Sequence, residues 1–150
     1  ISRINNMQNI QSNNDIRMNR ICIMGMLRHK DIKLTKQRVA LASLLFNLPT
    51  GHVTAEELHD ETKKKELRIS LATVYNTLNH FSENGLIKTL QVDNQKTFFD
   101  RNTEHHYHFK YKEVLEDIKV NDMQIKYNSK NIPQGKKIKS IDIVINLIDE

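Results

Sequence analysis

Cysteine is nearly absent from this chain: Cys22 is the one such residue in 150. An isolated thiol closes no intramolecular disulfide, and without a CxxC pair it builds no cysteine-rich zinc site. Tryptophan is missing altogether, and four glycines leave little material for shaping a substrate loop. No run approaches the roughly 18 apolar residues of a membrane-crossing helix. The opening ISRINNMQNIQSNNDIRMNR is rich in Asn, Gln and Ser and has no continuous apolar segment of the signal-peptide kind. Together these absences point to the reducing cytoplasm. Residues 1–22 are expected to form a disordered tail, with Met7 available as an initiator and Cys22 beside it.

Charge is present but unevenly placed. The chain carries 23 Lys and Arg against 18 Asp and Glu, a net charge of +5. Residues 1–90 hold 13 basic and 8 acidic side chains, while residues 91–150 hold 10 of each, so the whole excess lies in the first part. Charge of one sign gathered in one region suits a polyanion partner there. A general abundance of lysine, alongside Asn and Ile, would give the same count.

The first part reads as helices. In KLTKQRVALASLLFNLP, Thr35 is placed to cap a helix that Pro49 closes, and Val39, Ala42, Leu45, Phe46 and Leu48 recur at helical spacing. Thr54 with Glu57 three residues on is a capping box for TAEELHDETKKKE. In SLATVYNTLNHFSENG, Ser70 is a capping candidate and Gly85 stands where a glycine ends a helix. Leu71, Val74, Leu78 and Phe81 form its apolar stripe, which leaves Thr73, Asn76, Thr77 and His80 on the far side. That side carries short hydrogen-bonding groups and no charge. An ordinary solvent face favours Glu and Lys, whereas short donors and acceptors suit base edges and phosphates. An Asn-rich protein with a neutral surface is the bland alternative. LIKTLQVDNQKTFFD then gives two strand-like runs around a turn at Asp93-Asn94-Gln95. Three helices followed by a hairpin are the parts of a winged helix-turn-helix.

The second part opens on DRNTEHHYHFKYK, which holds three of the seven histidines within four positions. On a strand, His106, His108 and Lys110 share one face, and Tyr107, Phe109 and Tyr111 the other. Two imidazoles on one face begin a site for Zn²⁺, Fe²⁺ or Mn²⁺ but leave it one or two ligands short; two exposed strand histidines would look the same. The remainder offers a short helix, a Pro-Gly loop and a last strand in which Ile141, Ile143, Ile145 and Leu147 alternate.

HVTAEELH, ISLATVYNTLNHFSENGLI and FFD followed by the histidine cluster resemble the Fur family of metal-responsive transcriptional regulators, over residues 30–148. LTKQRVALASLLF, AEELH, SLATVYNTL and FFDRNTEHH are similar to its iron response regulator branch, Irr. The resemblance implies an α+β protein, with a winged helix-turn-helix DNA-binding domain over residues 23–101. A small α/β domain over 102–150 would dimerise and sense metal or haem. It implies a homodimer on an A/T-rich palindromic operator, with Tyr75 and Asn76 near bases and Lys33 and Arg38 near phosphates. Ser70, Thr73 and Thr77 complete the expected DNA-facing set. Metal ligands are implied at His52, Asp100, His106, His108 and Asp117, and a haem port at His105, His106 and His108.

Several departures accompany the match. The family's four-cysteine zinc site is missing, as in many Irr proteins. Tyr107 and Phe109 stand at histidine ligand positions of ordinary Fur proteins, which implies an incomplete sensor site of that type. Cys22 is followed by Ile23, so the Cys-Pro haem motif of some Irr proteins is missing too. Ordinary Fur proteins bind DNA when iron is plentiful, and Irr proteins do so when it is scarce. Two other classes fit the residues: a zinc hydrolase built on HxH plus Asp, and a nucleic-acid-binding protein whose histidines are bystanders.

Overall fold

A computed structural model describes residues 17–92 and 96–150. The expected turn at Asp93-Asn94-Gln95 and most of the expected tail lie outside them. The order is α1 (Arg20–His29), α2 (Lys36–Asn47), β1 (His52–Val53), α3 (Ala55–Lys64), α4 (Leu71–Glu83), β2 (Lys88–Gln91), β3 (Thr97–Asp100), β4 (Tyr107–Tyr111), β5 (Val114–Ile118) and β6 (Val144–Leu147).

Helix α1 begins inside the segment expected to be tail. Asn19 caps it, its side chain accepting from the Cys22 amide at 2.9 Å, and Ile23 and Leu27, four residues apart, face the core. Just before it, Met18 and the Asn47 side chain exchange two hydrogen bonds, of 2.8 and 3.1 Å, which pin the chain to the end of α2. The other helix starts follow the sequence. Thr35 accepts from the Arg38 amide. Thr54 and Glu57 form the reciprocal capping box at 3.2 and 2.8 Å. Ser70 accepts from the Thr73 amide. Caps of this kind each contribute about 1 kcal/mol.

Helix α4 ends as its glycine implies. Gly85 takes φ +73°, and the Leu86 and Gly85 amides donate to the Phe81 and Ser82 carbonyls. This closing turn carries the chain directly into β2.

Strands β1, β3 and β2 form one sheet in that order, pairing antiparallel. Its register sets His52 opposite Asp100. The second sheet runs β5-β4-β6, with β4 antiparallel to β5 and parallel to β6. There His108 stands opposite Asp117. In place of the short helix expected between β5 and β6 are two 3₁₀ turns, Val120–Asp122 and Ser129–Asn131.

The hydrophobic core belongs to the first part, where Leu27, Leu41, Leu45, Leu58, Val74, Leu78, Phe81 and Phe99 are essentially sealed from water. In the second sheet, Tyr107, His108 and Ile118 are the buried residues.

Candidate metal centre

Two cross-strand pairs, one from each sheet, meet between the sheets. The first is His52 on β1 with Asp100 at the end of β3, and the second is His108 on β4 with Asp117 on β5. His106, two residues before His108, projects from the same face and joins them. One donor atom from each of the five lies within 4.8 Å of every other.

The contacts are tight. Asp100 Oδ2 is 2.7 Å from His106 Nε2 and 3.2 Å from both His52 Nε2 and His108 Nε2. Asp117 Oδ1 is 2.9 Å from His52 Nε2 and 3.5 Å from the other two. His108 Nε2 stands 3.0 Å from the Nε2 atoms of both His106 and His52. Each nitrogen has one proton or one lone pair to offer, yet each faces several partners. Atoms held about 2.0–2.2 Å from a common ion at ordinary coordination angles stand about 3–3.5 Å apart. The donor set therefore fits a single divalent cation, and three imidazoles with two carboxylates suit Fe²⁺, Mn²⁺ or Zn²⁺.

The surroundings prepare the donors. His106 Nδ1 lies 2.6 Å from the Glu104 carbonyl, an acceptor that would hold a proton on Nδ1 when Nε2 turns its lone pair to a metal ion. Burial opposes a charge on His52, but hydrogen bonds to Asp100 and Asp117 prevail and raise its pKa from 6.5 to about 9. Asp100 is buried, which alone would favour its neutral form. Hydrogen bonds from His108, His52 and the Asn102 amide instead hold it well below the usual carboxylate range. Asp117 is lowered against the same opposition from burial, chiefly by His52. Protons and a cation thus compete for the same atoms.

Tyr107 and Phe109 alternate to the other face of β4, and five donors converge without either. The gap expected at those two positions is not a gap in this set. His105 stays outside it, exposed, with Nε2 3.2 Å from the Tyr107 hydroxyl. Arg101 is a residue that sequence reasoning passed over. Its guanidinium donates to the Leu45 and Phe46 carbonyls at 3.3 and 3.0 Å, bolting the end of β3 to the last turn of α2.

The expected DNA-facing residues divide. Lys33 and Asn76 are exposed, and Arg38 donates to the Lys33 carbonyl at 2.9 Å, steadying that loop. Ser70 and Thr73 share their hydroxyls at 2.9 Å in the cap, and Tyr75 is half-buried, edge-on to Phe99. Thr77 corrects the sequence reading: it is buried, three residues after Val74 and so beside the apolar stripe. The exposed stripe of α4 is Ala72, Asn76, Asn79 and Glu83. Asn79 was missed, although rotation of about 100° per residue away from Val74, Leu78 and Phe81 leads to it. Leu71, expected in the apolar stripe, is exposed at the first turn.

The profile of the Ferric uptake regulator family matches residues 29–148. The peroxide-responsive repressor PerR of Staphylococcus epidermidis (strain ATCC 12228 / FDA PCI 1200) is 37% identical over 82 residues, 55% of this chain and 54% of that protein. PerR of Staphylococcus aureus (strain Mu50 / ATCC 700699) is 38% identical over 82 residues, 55% of each. The chain thus spans about half the length of the curated relatives it matches. Among solved structures, the ferric uptake regulator of Pseudomonas aeruginosa with manganese superposes with a TM-score of 0.65 at 19% identity, covering 84% of this chain and 96% of that one. The Vibrio cholerae ferric uptake regulator gives 0.66 at 22% identity, covering 81% and 95%. These two share the fold. With the family profile spanning most of its length, the chain belongs to the Ferric uptake regulator family.

Proposed function

We propose that the protein is a metal-responsive transcriptional repressor, binding DNA through its first part as a homodimer. The carrying observation is the pair of cross-strand couples, His52–Asp100 in one sheet and His108–Asp117 in the other, aimed at one point. When bound there, a divalent ion supplies the positive charge that lets three bare imidazole nitrogens and two carboxylates stay together. His52 and Asp100 belong to the sheet whose strand β2 follows α4 directly, and His106, His108 and Asp117 lie on or beside the other. Holding all five fixes one sheet against the other, and with it the direction in which α4 points. Ligand binding shifts this equilibrium only as far as it prefers that arrangement.

In this reading residues 23–101 are a winged helix-turn-helix domain, with α4 as the groove-entering helix and the β2–β3 hairpin as the wing. Lys33 and Arg38 meet phosphates, and Tyr75 and Asn76 approach base edges of an A/T-rich palindrome. Residues 102–150 are the dimerising and sensing domain. Exposed Val114, Leu147 and Ile148 beside a sheet with little buried core support that role. Fluorescence anisotropy with such a duplex at fixed salt tests the reading. Mn²⁺ is expected to tighten binding about 10-fold or more, a usual size for allosteric coupling. Equal affinity with and without Mn²⁺ would refute it.

Irr-type control by haem is the second reading, and His105 is what favours it. That ring is exposed, whereas His106 and His108 are enclosed among the metal donors. Release of the duplex by haem, abolished by His105→Ala, would select it. The curated relatives' names add peroxide as a third input for the same assay.

A further inference from the structure

The link between the two sheets carries a residue that the donor set does not include. After Asp100 the chain makes two successive side-chain turns: the Asn102 amide donates to Asp100 Oδ1 at 2.8 Å, and the Glu104 amide donates to Asn102 Oδ1 at 3.1 Å. The Asn102 side-chain amide then donates to Asp117 Oδ2 at 3.4 Å. Asn102 therefore touches both carboxylates of the centre, and in each case it takes the oxygen that points away from the histidines. The oxygens left over are Asp100 Oδ2 and Asp117 Oδ1, the two that face the Nε2 atoms.

We propose that Asn102 is a positioning residue of the metal centre. It presents each carboxylate through one oxygen and holds the acid of the first sheet and the acid of the second in a common frame. This role rests on the metal reading above. A carboxylate free to rotate can offer either oxygen or both, and fixing one oxygen in advance lowers the ordering cost of binding. Three features favour Asn here. Its side chain holds a donor and an acceptor at once, it favours such local turns, and it adds no charge beside two acids. Neighbouring Arg101, fixed to the end of α2, anchors the link on its other side.

The experiment measures the Mn²⁺ dissociation constant of the full chain from free-ion electron paramagnetic resonance, beside the metal-free melting temperature. Asn102→Ala is expected to weaken Mn²⁺ binding about 10-fold, the lower end for lost outer partners of metal ligands, with little change in metal-free melting. If the Ala variant does not fold, Asn102→Ser serves the same reading. In an Asp117→Ala background, which keeps four donors, the Asn102→Ala effect is expected to shrink, because Ala keeps the backbone bond to Asp100 and loses the side-chain bond to Asp117. Unchanged Mn²⁺ affinity in Asn102→Ala, or the same fold-loss with and without Asp117, would overturn the role alone. A parent protein that binds no Mn²⁺ would overturn the metal reading and this role with it.

Discussion

The two sheets of this protein are stabilised differently. The first, β1-β3-β2, packs against α3 and α4 and shares the helices' core, with Phe99 and Phe81 fully enclosed. The second, β5-β4-β6, buries two large hydrophobic residues, Tyr107 and Ile118, and beside them a histidine that belongs to the metal centre. Apolar burial of roughly 25 cal/mol per Å² sustains the first. Beside the second stand the five convergent donor groups, and in the proposed reading a cation there and a second copy on Val114, Leu147 and Ile148 supply what its small core does not. The first sheet thus shares a closed apolar core, and the second rests on far less apolar burial.

Truncating one residue in each region should separate the two most clearly. Phe81→Ala is expected to cost about 3–5 kcal/mol in denaturant unfolding. Leu147→Ala in the exposed β6 edge is expected to cost under about 0.5 kcal/mol within one chain and to act on self-association instead, read by sedimentation. Equal losses of chain stability would remove the distinction.

Next in size is Asp100→Ala, which takes away the carboxylate touching all three imidazoles. Mn²⁺ affinity should fall at least about 100-fold, roughly 3 kcal/mol, in a calorimetric titration. A smaller loss than Asn102→Ala gives would place the ion elsewhere.

The protons of the centre tie metal-free stability to pH. The folded-state pKa of His52, about 9, lies above its ordinary value of 6.5. Its contribution to metal-free stability is therefore complete below pH 6.5 and is lost as pH rises through about 9. Asp100 and Asp117 are lowered, so their contributions are present at neutral pH and lost on acidification below the ordinary carboxylate range. The metal-free melting temperature should decline between pH 6.5 and 9 by scanning calorimetry, and His52→Ala should flatten that decline. A rise over this window would contradict the ion pairing described.

The smallest effect expected concerns α4. Asn76→Ala should reduce discrimination between operator and scrambled duplex by roughly 1–3 kcal/mol if its amide pairs with a base. Thr77→Ser, beneath the surface, should leave discrimination unchanged. The reverse order would restore the sequence-based view of that helix.

Much of this is legible in the sequence, for local reasons. Thr35, Thr54, Ser70 and Gly85 mark helix ends because caps and left-handed turns need those side chains within a few residues. His106 and His108 mark a shared strand face by simple alternation. Less local features escaped. Helix α1 fully buries Ile23 and Leu27 and half-buries Met24 and Met26, next to a polar opening that reads as tail. Strand β1 has two residues, too few for any pattern, yet its pairing delivers His52 to Asp100. The phase of α4 was set too far toward Thr77, since one apolar stripe fixes a helix's rotation only to within a flank. His52 and Asp117 came from family resemblance, because register across strands is not written in spacing.

One ion shared between the sheets would be coordinated by imidazoles from both, and pulsed electron paramagnetic resonance of the Mn²⁺-loaded protein counts them. Three are expected, falling to two in His52→Ala. Two in the parent protein, with no change in His52→Ala, would mean that the second sheet binds its metal alone and that the ion does not hold the two sheets together.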